Sequence, residues 1–467
     1  MSRLRVLVAS SEVYGYAKVG GLGDVAYSLP RALKRLGIDA RIIAPMHKPR
    51  GRIIKEIDVT MGDKKIKAQI RLSRIGDVPL YLIEGGGYFP RENVYGYVDD
   101  FERYVFFSKA IVEFIKNYNT WRPDILHAND WHTGLVAAFV KQEGLNVKTI
   151  FTIHNLGYQG DVESSYSPIL NLQKDVLEKI IHNGRINPIK SGLIFSDIVN
   201  TVSKTYAKEI QTPEFGFGLD NVLKSIKDKL FGILNGIDYN VWNPAKDKFI
   251  YVKYNVKSLE KKIENKKMLA KELGFKYKES IPLVGIVSRL AYQKGIDVFL
   301  QAIESFLEQK SLQLVVLGTG EKNIEDMAKR LAESYPNDVA IALRYDEVLA
   351  HKIYAASDIF AVPSRYEPCG LTQMIAMRYG SVPIVRNTGG LADTVIDVEE
   401  DPNKARGFKF QKMDVEEVIS TIKRALNTYY NDKKLWTTLQ KNGMTADFSW
   451  KHSAKEYLRL YKKALGI

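Results

Sequence analysis

Short apolar runs alternate with stretches of helical periodicity along most of the chain. In the first half, this pattern predicts a helix over about residues 24–36 and strands at 5–9, 38–44, 79–83, 125–128, 149–153 and 198–201. Strands that alternate with helices are typical of parallel sheets built from βαβ units. Residues 53–83 instead resemble consecutive strands joined by hairpin turns at Gly62-Asp63 and Gly76-Asp77. We therefore predict an α/β domain with a strand-rich insertion at the edge of its sheet.

The second half repeats the alternation. Predicted helices begin near Gly295 and Gly370, and predicted strands lie at 283–288, 314–317, 339–343, 359–362 and 383–385. Two doubly wound α/β domains in series are the simplest interpretation, with a boundary after the turn at 235–238. We expect a first domain at 1–243, a second at 244–449 and a C-terminal helix at 450–467 that packs back on the first domain.

Composition narrows the class of protein. The 467 residues are 45% hydrophobic and 26% charged, which is enough for two or three domains with their own cores. No window approaches the roughly 20 apolar residues that a membrane span needs, so we expect no membrane partner. Cys369 is the only cysteine, which excludes an intrachain disulfide and a cysteine-cluster metal site. We therefore expect Cys369 to be a small packed residue. A single cysteine also fits a reducing compartment, so we expect the protein to be cytoplasmic.

The formal net charge of +14 makes polyanions plausible partners. The densest run of lysines, at 261–271, shares a helical segment with apolar residues, so we interpret it as the solvated face of an amphipathic helix. No zinc-finger spacing or RNA-binding aromatic signature accompanies it. Nucleic acid is therefore the weaker interpretation, and we expect no nucleic-acid partner.

Candidate chemistry lies in the loops after predicted strands, because doubly wound sheets bind ligands beyond the carboxyl ends of their strands. The first such loop can bind an anion through three features: the backbone amides of Gly20 and Gly21, a helix N-terminus, and the positive charge of Lys18. The alternative is a tight turn with an unrelated lysine. The spacing matches neither a P-loop nor Gly-x-Gly-x-x-Gly, which disfavours nucleotide-triphosphate hydrolysis and dinucleotide binding.

Two further loops belong to the second half. Arg289 and Lys294 lie between a strand and a helix, where they can converge on one diphosphate and stabilise a leaving group, unless they are solvated surface cations. Glu367 follows the strand at 359–362, in a crevice that suits sugar hydroxyls. Backbone amides at the next predicted helix N-terminus suit a phosphate. They are the amides of Gly370, Leu371 and Thr372.

Taken together, these motifs resemble the glycogen and bacterial starch synthases, glycosyltransferase family 5. The resemblance rests on Lys-x-Gly-Gly at 18–21, Ser-Arg-Leu with Gln-Lys-Gly at 288–295, and Ser-Arg-Tyr-Glu-Pro-Cys-Gly-Leu-Thr-Gln at 364–373. Supporting motifs stand in the family's order at 127–132, 152–155, 235–238, 242–244 and 387–394. The match therefore covers nearly the whole chain.

The resemblance implies the GT-B architecture, in which two Rossmann-like doubly wound parallel-sheet domains face each other across a deep cleft. The first would bind the acceptor and the second the nucleotide. It implies a retaining transfer of glucose from ADP-glucose or UDP-glucose to the non-reducing end of an α-1,4-glucan, either glycogen or a maltooligosaccharide. It implies no cofactor and no metal, and no Asp-x-Asp tripeptide occurs in the chain. Val19 replaces a threonine of the common bacterial pattern, which leaves the base of the donor open.

The resemblance also implies the roles of individual residues. Arg289 and Lys294 resemble the essential pair on the distal phosphate, and Glu367 resembles the carboxylate that holds the transferred glucose. His154 resembles the residue whose side chain and backbone carbonyl line the sugar pocket. Lys18 resembles the donor-phosphate lysine of the first domain.

Further substrate contacts are implied at Asp130, Asn235 and Tyr345, where the tyrosine would stack on the base. Asp130 and His132 could instead cap the following helix, and Asn235 could be only a turn residue. Rival activities are a sucrose- or trehalose-forming retaining transferase, a phosphorylase carrying pyridoxal phosphate, and a non-catalytic glucan-binding protein. The sequence leaves the oligomeric state open.

Overall fold

The computed structural model describes residues 3–467, which divide into two compact units. The second unit comprises Gly236–Ser449, and the first comprises the remaining described residues, Trp450–Ile467 included. The hydrophobic pattern places the boundary a little later, after residue 243. The difference arises because the connecting segment packs within the second unit, where the ring of Trp242 stacks on that of His351 with centroids 4.1 Å apart.

The first unit is built on a largely parallel sheet. Its strands are, in chain order, β1 Arg5–Ala9, β2 Asp39–Pro45, β3 Arg52–Met61, β4 Lys64–Ile75, β5 Val78–Gly85, β6 Ile125–Asn129, β7 Lys148–Ile153, β8 Val162–Glu163, β9 Ile181–His182, β10 Arg185–Ile186, β11 Ile198–Thr201 and β12 Leu230–Gly232. The main sheet has the order β12-β11-β7-β6-β1-β2-β5-β4-β3, and the short strands β8, β10 and β9 form a separate sheet. Antiparallel pairing joins β4 to β5 and β3 to β4. The strand-rich segment therefore extends one edge of the sheet.

Helices cover both faces of this sheet. They are α1 Gly21–Arg35, α2 Asp100–Asn117, α3 Trp131–Gly134, α4 Val136–Gln142, α5 Ser167–Leu170, α6 Lys174–Ile180, α7 Pro188–Phe195, α8 Lys204–Glu209 and α9 Asp220–Ser225, with short 3-10 turns at Ser164–Tyr166 and Lys227–Lys229. The first helix begins earlier than the hydrophobic pattern predicts. Gly20 precedes it in an extended conformation, so the glycine loop leads directly into the helix.

The second unit contains a fully parallel sheet. Its strands are β13 Leu283–Val287, β14 Gln313–Leu317, β15 Val339–Ala342, β16 Ile359–Val362, β17 Val382–Arg386 and β18 Phe408–Phe410. They lie in the order β15-β14-β13-β16-β17-β18, and every neighbouring pair is parallel. This is the strand order of a doubly wound dinucleotide-type sheet, whose chain direction across the sheet reverses between β13 and β16.

The helices of the chain's second half complete the fold. They are α10 Lys262–Leu273, α11 Ile296–Glu308, α12 Lys322–Ser334, α13 Glu347–Ala356, α14 Thr372–Arg378, α15 Gly389–Thr394, α16 Val415–Asn431, α17 Lys433–Thr445 and α18 Trp450–Leu465, with 3-10 turns at Leu259–Lys261 and Tyr292–Lys294. The predicted α/β class is confirmed in each unit. Within residues 3–467, no helix combines the length and the apolar character needed to cross a membrane.

The last helix, α18, packs within the first unit, against α1. Buried Trp450, Tyr457 and Tyr461 share a core with residues of α1 and of the sheet. The Tyr461 hydroxyl lies 2.8 Å from His127 Nδ1, and Asn200 Nδ2 donates to the Tyr457 hydroxyl at 3.1 Å. These buried polar contacts fix the position of α18 beneath the strands that carry candidate site residues.

Candidate active site

A cavity of about 180 Å³ opens at the carboxyl ends of β13 and β16 in the second unit. This is the position where the strand order reverses, which is where doubly wound sheets bind their ligands. It is lined by six of the predicted site residues of the second half: Arg289, Lys294, Glu367, Gly370, Leu371 and Thr372. The fold therefore brings the predicted residues of two distant loops into one site.

Lys294 and Glu367 form an ion pair in the wall of this cavity. Lys294 Nζ lies 2.6 Å from Glu367 Oε2, and the Ser364 hydroxyl donates to the same oxygen at 2.8 Å. Only 19% of the lysine side chain and 10% of the glutamate side chain are exposed. Such partners are needed because desolvation penalises an isolated charge. The other oxygen, Oε1, accepts no hydrogen bond from residues 3–467, so it is available to a ligand.

Arg289 lines the same cavity but is exposed. Its guanidinium makes neither a hydrogen bond nor an ion pair with any other residue of the described chain. An arginine has five N–H donors in a planar fork that matches the oxygens of a phosphate. Arg289 therefore has its full donor capacity free for an anionic ligand.

Two glycines allow the loops of the site to touch through their backbones. At Gly295, where φ is +64°, a Cβ atom would lie 2.1 Å from the carbonyl oxygen of Pro363. At Gly389, where φ is +45°, a Cβ atom would lie 2.0 Å from the carbonyl oxygen of Glu367. No larger residue fits at either position without moving the backbone. Glycine is thus required for the close approach that places Lys294 against Glu367.

Backbone donors are also present at the cavity. The N–H groups of Leu371 and Thr372, at the start of α14, donate to no acceptor within residues 3–467, and Gly370 precedes them with φ of +70°. Unpaired donors at a helix start carry partial positive charge. Residues 3–467 contain no cluster of three or more histidine, cysteine, aspartate or glutamate side chains placed to hold a metal ion.

Two other residues of the second unit do not line the cavity. Tyr345 follows β15, is 82% exposed and does not line the cavity, so stacking on a base stays a prediction. Cys369 is buried and forms no disulfide. Its burial agrees with the expectation of a packed residue.

In the first unit, the glycine loop after β1 is held by a carboxylate of the chain itself. The N–H groups of Val19 and Gly20 donate to Glu12 Oε2 at 2.6 and 2.7 Å, and the Tyr95 hydroxyl donates to Glu12 Oε1 at 2.7 Å. The Gly20 amide, which the motif offers to a ligand, is therefore satisfied internally. Gly21 begins α1 directly afterwards.

Lys18 of this loop is partly exposed and pairs with Asp24, with its Nζ 2.8 Å from the carboxylate. Asp24 lies in the first turn of α1, so the contact ties the loop to the helix that follows it. An ion pair between partly exposed groups is weak. A phosphate could therefore displace Asp24 from Lys18 at little cost.

Asp130 and His154 meet at the carboxyl ends of β6 and β7. Asp130 Oδ1 accepts a hydrogen bond from the backbone N–H of His154 at 2.7 Å. The side chain of Asp130 makes no capping bond to α3, so the helix-cap alternative is wrong for this residue. His132 is buried, and its ring stacks on Tyr95 with centroids 4.6 Å apart. Both side chains are therefore engaged away from the helix terminus.

The protonation state of His154 follows from its neighbour Asn129. The amide nitrogen of Asn129 donates to the carbonyl oxygens of Ala9 and His127, so its Oδ1 must face His154 as an acceptor. His154 therefore carries a proton on Nε2, which lies 2.8 Å away. Burial lowers the pKa of His154 to about 3. The imidazole is neutral, with the lone pair of Nδ1 free to accept a hydrogen bond.

Asn235 follows β12 at the end of the first unit's main segment. It is only 6% exposed, and its Oδ1 has no hydrogen-bond partner within the described chain. A buried amide oxygen without a donor is costly. The residue therefore has an acceptor free for a ligand, which a simple turn residue would not need.

Comparisons with known proteins decide the family. A model of the starch synthase catalytic domain matches residues 5–225, and one of the glycosyl transferases group 1 matches residues 271–443. The chain is 42% identical to the glycogen synthase of Thermosipho africanus and 43% identical to that of Fervidobacterium nodosum, each over 99% of both chains. The chain belongs to the glycogen and starch synthase family.

A solved structure of a family member agrees. The catalytic domain of starch synthase IV from Arabidopsis thaliana, bound to ADP and acarbose, has a TM-score of 0.91 and 38% identity over the full length of both chains. Sucrose-phosphate synthase from Thermosynechococcus elongatus, at a TM-score of 0.63 and 20% identity, shares the fold alone. The predicted family and GT-B fold are confirmed. The chain is a nucleotide-sugar-dependent glucosyltransferase that elongates a glucan.

The motifs do not identify two polar residues that contact predicted site residues. Glu12 lies three residues after the end of β1, as an acidic residue placed after a buried strand, which is the same signal that identifies Glu367. Asn129 stands inside the motif at 127–132, but its role depends on the carbonyl groups that orient it. Those contacts are visible only once β1, β6 and β7 are paired.

Substituting Asp130→Asn should change how the stability of this synthase depends on pH. Burial raises the pKa of Asp130 to about 7, and the negative charge of Glu12 adds to the shift. The pKa of an unfolded aspartate is about 3.9. Protonated Asp130 therefore contributes stability fully below about pH 4, and this contribution is lost as the pH rises towards 7. Relative to the parent, the variant should gain free energy of unfolding over this range.

Urea unfolding of parent and variant at about pH 4.5 and pH 7.5 measures their free energies of unfolding. The contributions of the other titrating groups cancel when the parent's value is subtracted from the variant's. Asparagine tolerates the φ of +56° at this position and keeps an Oδ1 acceptor for the His154 N–H. A stability difference that stays constant between the two pH values would contradict the raised pKa.

Proposed function

We propose that the cavity of the second unit binds the diphosphate of the sugar donor. Arg289 and Lys294 would hold the distal phosphate, and the backbone amides of Leu371 and Thr372 would add hydrogen bonds. The proposal depends chiefly on one observation, that the Lys294–Glu367 ion pair lies in the wall of a cavity that is also lined by Arg289, whose guanidinium has no partner among the described residues. Fixed cations beside a leaving phosphate stabilise the charge that develops on it.

Glu367 would bind the glucose that is transferred. Its Oε2 is already occupied by Lys294 and Ser364, while Oε1 can accept a hydrogen bond from a sugar hydroxyl. The ion pair makes Glu367 a poor nucleophile, because its negative charge is neutralised by the adjacent ammonium. Lys294 would thus link the sugar subsite to the phosphate subsite.

The reaction retains the configuration at the anomeric carbon and proceeds on one face of the donor. The bond from C1 to the phosphate oxygen breaks, and its electron pair goes to the diphosphate. The acceptor's 4-hydroxyl oxygen forms the new bond to C1 through an oxocarbenium-like transition state, and its proton passes to the departing phosphate oxygen. Arg289 and Lys294 favour this path because they lower the energy of the charged leaving group.

Residues of the first unit would also bind substrate. Neutral His154 offers Nδ1 and its backbone carbonyl to the sugar, and Asn235 offers its unpartnered Oδ1. Asp130 would add a further substrate contact. Lys18 would add its charge to the donor phosphate, together with the N–H of Gly21.

The donor is ADP-glucose in this proposal, with UDP-glucose as the alternative, and the acceptor is glycogen or a maltooligosaccharide. The starch synthase IV structure that contains ADP supports the adenine nucleotide. Tyr345, exposed after β15, would stack on the base. We place the reaction in the cytoplasm, since a single buried cysteine fits a reducing compartment.

Release of nucleoside diphosphate tests the function directly. The purified protein should release ADP from ADP-glucose when glycogen is present, and labelled glucose should appear at the non-reducing ends of the glucan. Fructose, glucose 6-phosphate and free glucose serve as alternative acceptors in parallel. Transfer to one of these but not to glycogen would contradict the proposal.

The same assay with EDTA tests whether the cationic side chains of the protein are sufficient to stabilise the leaving diphosphate. We expect turnover to remain within about twofold after metal removal, because Arg289 and Lys294 supply the positive charge that a divalent ion supplies elsewhere. Turnover that disappears in EDTA and returns with magnesium would show that a metal ion carries this charge instead.

A further inference from the structure

Arg365 belongs to the same motif as Glu367 but does not line the cavity. Its guanidinium binds both oxygens of Asp297, with Nη1 to Oδ1 and Nη2 to Oδ2 each 2.7 Å apart. Only 17% of the arginine side chain and 20% of the aspartate side chain are exposed. A two-point pair of planar groups satisfies the charge and fixes one orientation. Arg365 is therefore not a cation left free for a substrate.

The same arginine fastens the turn that carries Lys294. Arg365 Nη1 donates to the carbonyl oxygen of Tyr292 at 2.6 Å, and the guanidinium lies over the Tyr292 ring, 3.7 Å from its centroid. The backbone N–H of Arg365 donates to the carbonyl oxygen of Gln293 at 2.8 Å. Residues Tyr292–Lys294 form a single 3-10 turn. These contacts therefore hold the backbone that presents the ammonium group.

Further contacts join this turn to the loop that carries Glu367. Gln293 Nε2 donates to the carbonyl oxygen of Tyr366 at 3.2 Å. Asp297 lies in the first turn of α11, so its pair with Arg365 also connects that helix to the loop after β16. The segments on either side of the cavity are thus linked by a set of bonds centred on one guanidinium.

We propose that Arg365, held by Asp297, is a positioning residue for the transfer reaction. It sets the Lys294 ammonium at the distance from Glu367 and from the donor phosphate that the transition state requires. Misplacing a catalytic group by about 1 Å can cost roughly a hundredfold in rate. This inference rests on the proposed role of Lys294 and names the bonds that place its ammonium group.

Steady-state kinetics with ADP-glucose and glycogen test the positioning role. Arg365→Ala should lower kcat by about 10- to 100-fold while the KM for ADP-glucose changes by less than about threefold. Asp297→Asn should lower kcat comparably. The kcat of the double variant should be no lower than that of the less active single variant, since Arg365 and Asp297 act through one ion pair. Arg365→Lys, which keeps the charge but not the fork, should recover only part of the loss.

Arg424→Ala is the matched control. Arg424 also pairs with a largely buried aspartate, Asp397, but neither residue lines the cavity. We expect this variant to lose thermal stability and keep its kcat. If Arg365→Ala does not fold, Asp297→Asn carries the same test, because it retains the shape of the side chain.

Three results would overturn the positioning role. The first is a kcat for Arg365→Ala within about threefold of the parent. The second is a normal kcat for Asp297→Asn when Arg365→Ala is inactive. The third is a kcat of the double variant that falls by the product of the two single losses. Lys294→Ala in the same assay separates this inference from the proposed function. Normal turnover of that variant would refute both, whereas an inactive Lys294→Ala beside a normal Arg365→Ala would refute the positioning role alone.

Discussion

Lys294→Ala should lower kcat by about a thousandfold or more with ADP-glucose and glycogen at saturation. The ammonium pairs with the carboxylate of Glu367 in the cavity proposed to bind the diphosphate, and its effect should be strongest when the leaving group gains charge. A thousandfold loss corresponds to about 4 kcal/mol of transition-state stabilisation. Initial rates of ADP release in parent and variant measure it.

The structure supplies a matched control for this substitution. Lys278 pairs with Asp338 at 2.6 Å, with 22% and 9% of the side chains exposed, which resembles the burial of Lys294 with Glu367. Lys278 precedes β13, at the opposite end of the strand from the cavity. Lys278→Ala should retain turnover within about threefold, because neither Lys278 nor its partner Asp338 lines the cavity.

Lys294→Ala also leaves Glu367 without its counter-ion, which can destabilise the fold. The double variant Lys294→Ala with Glu367→Gln removes the uncompensated charge and should recover the stability without recovering turnover. Near-normal turnover of a folded Lys294→Ala would refute the role of this lysine.

Arg289→Ala should lower kcat/KM by about a hundredfold or more. Because its guanidinium has no partner among the described residues, its removal breaks no bond of the folded protein. The unfolding temperature should therefore stay unchanged while the kinetic constants fall. Kinetics and a thermal melt on the same preparation measure both quantities.

Arg330→Ala serves as the control for this variant, because Arg330 is exposed on α12 and lies outside the cavity. It should retain normal kinetics. Equal losses in the two arginine variants would indicate a general effect of net charge on a polyanionic or nucleotide ligand. Such a result would remove the reason for assigning Arg289 to the diphosphate.

The parallel strands could be predicted closely from the sequence. The expected strands at 5–9, 198–201 and 359–362 have the observed limits. The strand at 359–362 is a continuous apolar run, which is typical of a strand buried on both faces. The pattern did not identify α2, Asp100–Asn117. This helix is buried along most of its length, so it lacks the contrast between an apolar and a polar face.

The cavity residues could be predicted as motifs, because each follows a strand whose end reaches the ligand edge of a sheet. Their partners could not. Asp297 and Arg365, like Glu12 and Tyr95, are far apart in sequence and interact only through the folded sheet. The Gly20 amide shows the consequence, because its bond to Glu12 is invisible to a motif of glycines and a lysine.

A crystal structure of the protein soaked with ADP tests the central claim most directly. We expect the distal phosphate in the cavity beyond β13 and β16, with its oxygens within hydrogen-bond distance of the Arg289 guanidinium and Lys294 Nζ. A diphosphate bound elsewhere, with both of these side chains free of it, would contradict the proposed site.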